Sequence, residues 1–275
     1  MYSELREAAL VAGEAGSSVL LRYFRADHLE IEKKAEHDYV TQADRDSETA
    51  ILGVLRERFP DHSILSEESG VVSDQGSGYN WVVDPLDGTT NFLRGLPVWG
   101  ISIACLDGNE PVAGAILDPI GGNVYSAARG GGADWNGESI RVSDRTGMDG
   151  SFLATGYPFR ARAALDVYLE LFRRIFLRAG SIRRCGAAAL DLAHTAIGVY
   201  DGFFEFRLSA WDIAAGALLI EEAGGSVSDL DGGRTHLTSG NLVAGAPQVA
   251  ADLLDIIRDV ASETILEDLV PLDSL

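Results

Sequence analysis

Between residues 81 and 129 the chain runs through four strand-length apolar segments in succession, WVVD, WGISIACLDG, EPVAGAILDP and NVYSAAR, broken by Gly, Asn, Asp and Pro. Runs of this length and composition read as an antiparallel meander. Asp107-Gly108-Asn109 supplies a hairpin turn within it. A sheet of that kind needs cover, and the flanking sequence offers it. Residues 3 to 25 place Leu5, Ala8, Ala9, Ala12, Val19 and Phe24 near the 3.6-residue period of a helix. A second helix follows Thr41, with Ile51, Leu52, Leu55 and Phe59 on its inner face and Pro60 closing it. Residues 28 to 40 (HLEIEKKAEHDYV) are charged and read as a mobile ribbon.

After about residue 148 the pattern changes. SFLAT reads as a strand, 164–178 and 186–199 as helices, and GFFEF as a strand. A helix at 212–223 is stopped by Gly224 and Gly225, LVAGA is a last strand and 249–260 a last helix. Strands alternating with helices predict α/β layering there. The expected division is therefore an N-terminal α+β half, 1–148, with the antiparallel sheet and most of the candidate metal ligands, and a C-terminal α/β half, 149–275. No repeat or low-complexity linker separates them, so the halves are expected to share an extensive interface.

Charge narrows the functional classes. Lys and Arg number 22 against 42 Asp and Glu, a net charge of −20 that repels a phosphate backbone. The arginines at 173, 174, 178, 183 and 184 read as a solvated helix face paired with acidic neighbours. The N-terminus lacks the cationic start of a signal peptide, and no apolar run approaches the ~20 residues of a membrane span, so a cytoplasmic location is expected. Cys105 and Cys185 form no metal or disulfide pattern and read as reduced, largely buried thiols. The histidines show no zinc spacing. His194 reads as a packed or interface residue, Phe203 and Phe204 as strand core, and Gly130-Gly131-Gly132 as a loop with special backbone needs rather than a phosphate cradle.

The chemistry concentrates in WVVDPLDGTTNF, residues 81–92. Trp81, Val82 and Val83 suit a buried strand, and Pro85 is expected to stop its ladder directly after Asp84. Asp84 and Asp87 can converge across the turn. Gly88 permits an unusual backbone, and the amides of Thr89, Thr90 and Asn91 can open a helical turn that attracts an anion. D-P and D-G are also ordinary turn dipeptides. Further acids, Glu67 in EES and Asp212 in SAWDIAAG, favour a site. Asp212 sits where a helix should start, as an N-cap would, and the small residues Ala214, Ala215 and Gly216 imply close packing behind it. Hard oxygen donors without His or Cys select Mg²⁺, with Mn²⁺ as substitute. Crowded carboxylates repel by about 1 to 4 kcal/mol per pair at ~4 Å, so they stay ionised together only around cations. Two such cations can clamp a phosphate ester.

WVVDPLDGTTNF and WDIAAGALLIEEAGG resemble the two signatures of the inositol monophosphatase family, supported by EES and by VTQAD at 40–44. The matching segments span roughly residues 33 to 225. The resemblance implies a five-layered αβαβα sandwich, α+β followed by α/β, and a Mg²⁺-dependent, lithium-sensitive phosphomonoesterase working by direct attack of water with two or three ions. It assigns Glu67, Asp84 and the carbonyl of Leu86 to a first ion, and Asp84, Asp87 and Asp212 to a second. Asp44 matches an acid associated with Thr89, and Lys33 a mobile-loop lysine. Gly88 and Thr89 would bind phosphate; Glu67 and Thr89 would orient the water, with Asp212 serving the leaving group. Gly186, Ala187, Ala188 and Glu205 match positions that line the pocket for a sugar or inositol. Lithium and calcium would inhibit, and a homodimer is implied.

Thr89-Thr90-Asn91-Phe92 and the glycine ending WDIAAG resemble the inositol monophosphatases rather than bisphosphate-nucleotide relatives. Inositol 1-phosphate is thus the expected substrate, with fructose 1,6-bisphosphate or another small sugar phosphate as the alternative. A binding role at the transcription machinery, through the arginine-rich helix, is the alternative of another class. Two departures from the family pattern are Ala187, where some relatives have threonine, and Arg94-Gly95, which replaces a common His-Gly pair.

Overall fold

The computed structural model describes residues 2–26, 31–35, 38–76, 78–157 and 165–263. Two helices, α1 (Tyr2–Tyr23) and α2 (Gln42–Arg58), form the first layer. The second is an eight-stranded sheet built from residues 63–139: β3 (Ser63–Ser66), β4 (Gly70–Ser73), β5 (Tyr79–Asp87), β6 (Gly100–Asp107), β7 (Glu110–Asp118), β8 (Asn123–Ala128), β9 (Gly132–Trp135) and β10 (Glu138–Ser139). Its order is β10-β9-β8-β7-β6-β5-β3-β4. From β5 to β10 each strand pairs antiparallel with the next, as the apolar runs predict, and only β3 joins β5 in parallel. Asp107 pairs with Glu110, so Gly108-Asn109 is a two-residue hairpin turn.

The third layer is α5 (Ala188–Ala196) and α6 (Ala210–Glu222), sandwiched between the two large sheets. Both helices are rich in small residues because they are covered on every side. Ala189, Ala193, Ala196, Ala214 and Ala215 are all fully buried, as is Leu192, which fills the space beside Gly216. The small residues after Trp211 thus have the close partner their size implies. A five-stranded sheet is the fourth layer, with β11 (Phe152–Thr155), β12 (Ser181–Arg183), β13 (Gly202–Glu205), β14 (Ser226–Ser228) and β15 (Leu242–Gly245) in the order β12-β11-β13-β15-β14. Helices α4 (Leu165–Phe176) and α8 (Pro247–Glu263) close the outside, joined through Val167, Leu171, Ile175, Leu253 and Ile257. The order of layers is αβαβα. A short α7 (His236–Ser239) lies beside α6.

Two local expectations change. Within residues 28–40, read from sequence as a mobile ribbon, β1 (Ile31–Ala35) pairs antiparallel with β2 (Asp38–Thr41), and residues 27–30, 36 and 37 lie outside the described set. The hairpin is anchored at one end, because Thr41 is also the N-cap of α2. Pro85 does not end the β5 ladder. Asp84 pairs with Ser102 and Asp87 with Gly100, so the proline occupies a bulge, where its missing N–H costs nothing. Short strands β4, β9, β12 and β14 have too little apolar pattern to be legible alone.

The glycine loop after β8 has a specific purpose. The amides of Gly130 and Gly132 donate to the two carboxylate oxygens of Glu222 at 3.0 and 2.9 Å. Arg129 pairs with Glu221, and Arg234 bridges Glu221 to Glu110, so the C-terminal end of α6 is tied to the eight-stranded sheet. Of the arginine-rich segment, Arg173 and Arg174 pair with Glu170 and Arg178 with Asp149, whereas Arg183 and Arg184 lie beyond the helix, over the rings of Phe152 and Tyr157. Cys105 is buried and Cys185 half-buried, and both are free thiols. His194 stands edge-on to Tyr125 and Tyr200, a packed residue whose burial lowers its pKa. No described helix is long and apolar enough to cross a membrane.

Candidate active site

Three helices begin at one place, the joint between the sheets, and each start is satisfied by an acid. In α2, Asp44 is the third residue, and its Oδ2 accepts from the N–H of Thr41 at 2.9 Å. In α6, Asp212 likewise accepts from Ser209 N–H at 2.7 Å. Asp212 is therefore not the N-cap, as its position in SAWDIAAG implies. Ser209 is the cap, and Asp212 reaches back from the third position, as carboxylates there often do. At the start of α5 the acid comes from another element: Asp87 Oδ2 accepts from Ala189 N–H at 2.8 Å. The partial positive charge of a helix start favours each anion.

Asp84 leaves β5 at the bulge, and its Oδ1 accepts from Leu86 N–H at 2.9 Å. Carboxylate oxygens of Asp84, Asp87 and Asp212 all lie within 4.8 Å of one another. Glu67, just past β3, hydrogen-bonds to the Asp84 carboxyl. Burial first, and then the charges of Glu67, Asp87 and Asp212, hold the Asp84 carboxyl well above the usual carboxylate range. Such crowding is what a divalent cation relieves, and the donors, all oxygen, fit Mg²⁺ or Mn²⁺. Asp84, Asp87 and Asp212 are the acids that could hold it, with Glu67 hydrogen-bonded to the first of them.

Of the other expected residues, Thr89 and Asp44 lie on one side of this cluster, and Gly186, Ala187, Ala188 and Glu205 on the other. On the side of α2, the Thr89 hydroxyl lies 3.2 Å from the Leu86 carbonyl and 3.4 Å from Asp44 Oδ1. Thr89 opens α3 (Thr89–Leu93), whose N-cap is Gly88 at φ 88°, ψ 35°. A Cβ at Gly88 would meet the Val98 carbonyl oxygen at 3.0 Å, so glycine is required both by dihedral and by space. On the other side, Asp87 and Asp212 line a pocket of about 170 Å³ with Gly186, Ala187, Ala188, Arg184, Glu205 and Gly156. Lys33 has its backbone in β1, opposite Tyr39; its side chain lies outside what is described.

Several working residues take their roles from contacts that the sequence does not show. Asn91 stands with its Nδ2 2.7 and 3.0 Å from the carbonyls of Val98 and Cys185, tying the Asp87 turn to the pocket loop. At Gly156 a Cβ would overlap the Glu205 carboxylate, so this glycine lets Glu205 lie across the backbone. Burial first, then the charges of Asp191 and Asp212, raise the Glu205 carboxyl well above its ordinary range. Asp191, fully inside α5, is pushed up to about 8 by burial and by Asp87. Glu48, one turn beyond Asp44, accepts from Ser69 N–H and Oγ–H at 3.1 and 2.6 Å. Only its spacing of four residues from Asp44 hints at a shared face.

Five layers with carboxylates gathered at the joint of two sheets define a metal-dependent phosphatase of the layered-sandwich class. The chain belongs to the inositol monophosphatase family, whose sequence profile matches residues 1–262. Among its relatives, Nus factor SuhB of Pseudomonas aeruginosa is 44% identical over 262 residues, covering 94% of this chain and 97% of its own. A crystal structure of extragenic suppressor protein suhB from Bartonella henselae superposes with a TM-score of 0.89 at 37% identity, covering 93% of this chain and 98% of that one. An inositol monophosphatase structure from Anabaena gives 0.85 at 35% identity, covering 94% and 96%.

Proposed function

We propose that this protein hydrolyses small polyol phosphomonoesters, with inositol 1-phosphate the preferred substrate. The observation that carries the reading is the union of an acidic triad, its oxygens within 4.8 Å, with a pocket that Asp87 and Asp212 share with Gly186, Ala187, Ala188 and Glu205. Gly186, Ala187 and Ala188 leave room for a ring, and Glu205 hydrogen-bonds its hydroxyls. A bound pair of Mg²⁺ ions supplies charge neutralisation to the phosphate and acidity to water. Glu67 and the Thr89 hydroxyl orient the attacking water in line with the ester bond. Asp44, held by Thr41, receives the water's proton through the Thr89 hydroxyl. The amides at Gly88 and Thr89 face the phosphate oxygens, and Asp212 positions the water that protonates the departing alkoxide. Lithium and calcium inhibit by entering the Asp84, Asp87 and Asp212 cluster. The protein acts in the cytoplasm as a homodimer.

Phosphate release from inositol 1-phosphate, fructose 1,6-bisphosphate and adenosine 3′,5′-bisphosphate, each with and without Mg²⁺, tests the reading. Inositol 1-phosphate should give the highest kcat/KM, and Asp87→Asn should lower kcat at least a hundredfold at saturating Mg²⁺ with the fold retained. A preference for fructose 1,6-bisphosphate would move the assignment to the sugar-bisphosphate alternative. Wild-type turnover by the variant would overturn the site. A second reading, association with the transcription machinery, is favoured by the Nus factor name of the Pseudomonas relative. Exposed Leu169, Phe176 and Leu177 beside Arg173 and Arg178 offer a contact face for it. Binding to transcription factors that survives in Asp87→Asn would mark this second role as independent of turnover.

A further inference from the structure

One face of α2 touches three separate segments of the site. Asp44, Ser47 and Glu48 are spaced as helix neighbours and are all buried. Asp44 meets Thr89, Ser47 donates to the Pro85 carbonyl at 3.0 Å, and Glu48 takes both the amide and the hydroxyl hydrogen of Ser69. The Ser69 contact is the one that matters for Glu67. Residues 67–69 form the whole connection between β3 and β4, and β4 is the edge of its sheet, paired on one side only. Glu67 enters this turn with its N–H on the Val83 carbonyl at 3.1 Å. Beyond it, Glu48 closes the turn. Among the described residues, all hydrogen bonds to the Glu48 carboxylate come from Ser69. A buried carboxylate with both oxygens on one residue is a clamp, since either bond lost leaves a desolvated charge short of a donor.

We infer that Glu48 is a positioning residue for the divalent-cation site: by gripping Ser69 it holds the turn from which Glu67 reaches Asp84. The inference rests on the reading of the acidic cluster as a cation site. A mere structural tie would lower stability and leave cation affinity alone; a positioning role changes affinity in a folded protein. The two are separable.

The test is Mn²⁺ binding to metal-free protein, followed by the free-ion electron paramagnetic resonance signal well below every melting temperature. Wild type is compared with Glu48→Ala, Glu48→Gln, Ser69→Ala and the double Ala variant. Groups bonded directly to a metal's ligands cost about 10- to 100-fold in affinity when lost; Glu48 acts one contact further out, through Ser69, so Glu48→Ala should weaken Mn²⁺ binding by the lower end of that range, about tenfold. Ser69→Ala, a small change at an exposed residue, should weaken it by a few fold, and the double variant should be no worse than Glu48→Ala. Glu48→Gln keeps an acceptor at the same reach and should stay within about threefold of wild type. Wild-type affinity in both single Ala variants, or losses that multiply in the double, would overturn the positioning role while leaving the cation site standing. Absence of Mn²⁺ binding by wild type would overturn both.

Discussion

Gly156 shows how much a single missing methyl group can decide. The Glu205 carboxylate occupies the space a Cβ would take there, and the carboxylate is the free end of a flexible side chain. Gly156→Ala should therefore turn Glu205 aside at little cost to folding. The expected result is a rise in KM of about tenfold, near 1.4 kcal/mol of lost binding, with Mg²⁺ dependence and Tm close to wild type. Steady-state kinetics and thermal melting check it. Gly88 is the opposite case, where backbone atoms crowd the missing Cβ and nothing can move aside. Its need was readable from D-G in the sequence; that of Gly156 was not, because the partner is 49 positions away.

Among the elements, α6 joins both ends of the molecule's chemistry. Its first turn presents Asp212, and its last turn presents Glu222 to the amides of Gly130 and Gly132. Ten residues at 1.5 Å put about 15 Å between those two acids. Glu222→Ala should leave two amides short of their acceptor, costing about 1 to 2 kcal/mol, and lower Tm by about 4 °C. Turnover should be unchanged, since the site lies at the other end of the helix. A coupled fall in kcat/KM in this variant would show that the loop and the site communicate. The long helices were visible from their periodicity. The hairpin of β1 and β2 was not, because a paired ribbon needs only backbone hydrogen bonds and leaves no required apolar pattern.

For the whole molecule, the burial of acids sets how stability responds to pH and metal. Asp84 and Glu205 are raised, and Asp191 is pushed up to about 8. Each binds a proton more tightly folded than unfolded, so each contributes stability that is lost as pH rises through its folded pKa. His62, His194 and His236 are lowered by burial and act in the other direction, chiefly below about pH 6.5, where the unfolded chain takes up protons. Between pH 7 and 8.5 the thiols of Cys105 and Cys185, raised by burial, act in the same direction as the acids. Metal-free protein should then melt at lower temperature as pH rises across that window. Mg²⁺ at about a hundred times its dissociation constant should raise Tm by about 5 °C, and flatten the part of the slope that Asp84 contributes. Calorimetry with and without chelator measures both.

What the sequence determined by itself was everything that depends on near neighbours. The meander follows from short apolar runs and turn residues, the long helices from their period, and the ligand types from WVVDPLDGTTNF, EES and SAWDIAAG. Only the tertiary structure decided how these meet. Three helix starts and a bulged strand end bring Asp44, Asp84, Asp87 and Asp212 to one joint. Gly156, Asn91 and Glu48 acquire their roles there through contacts with distant residues. The physical reason is range: periodicity and turn chemistry act over a few residues, whereas a clamp or a close approach exists only between segments that packing has already brought together.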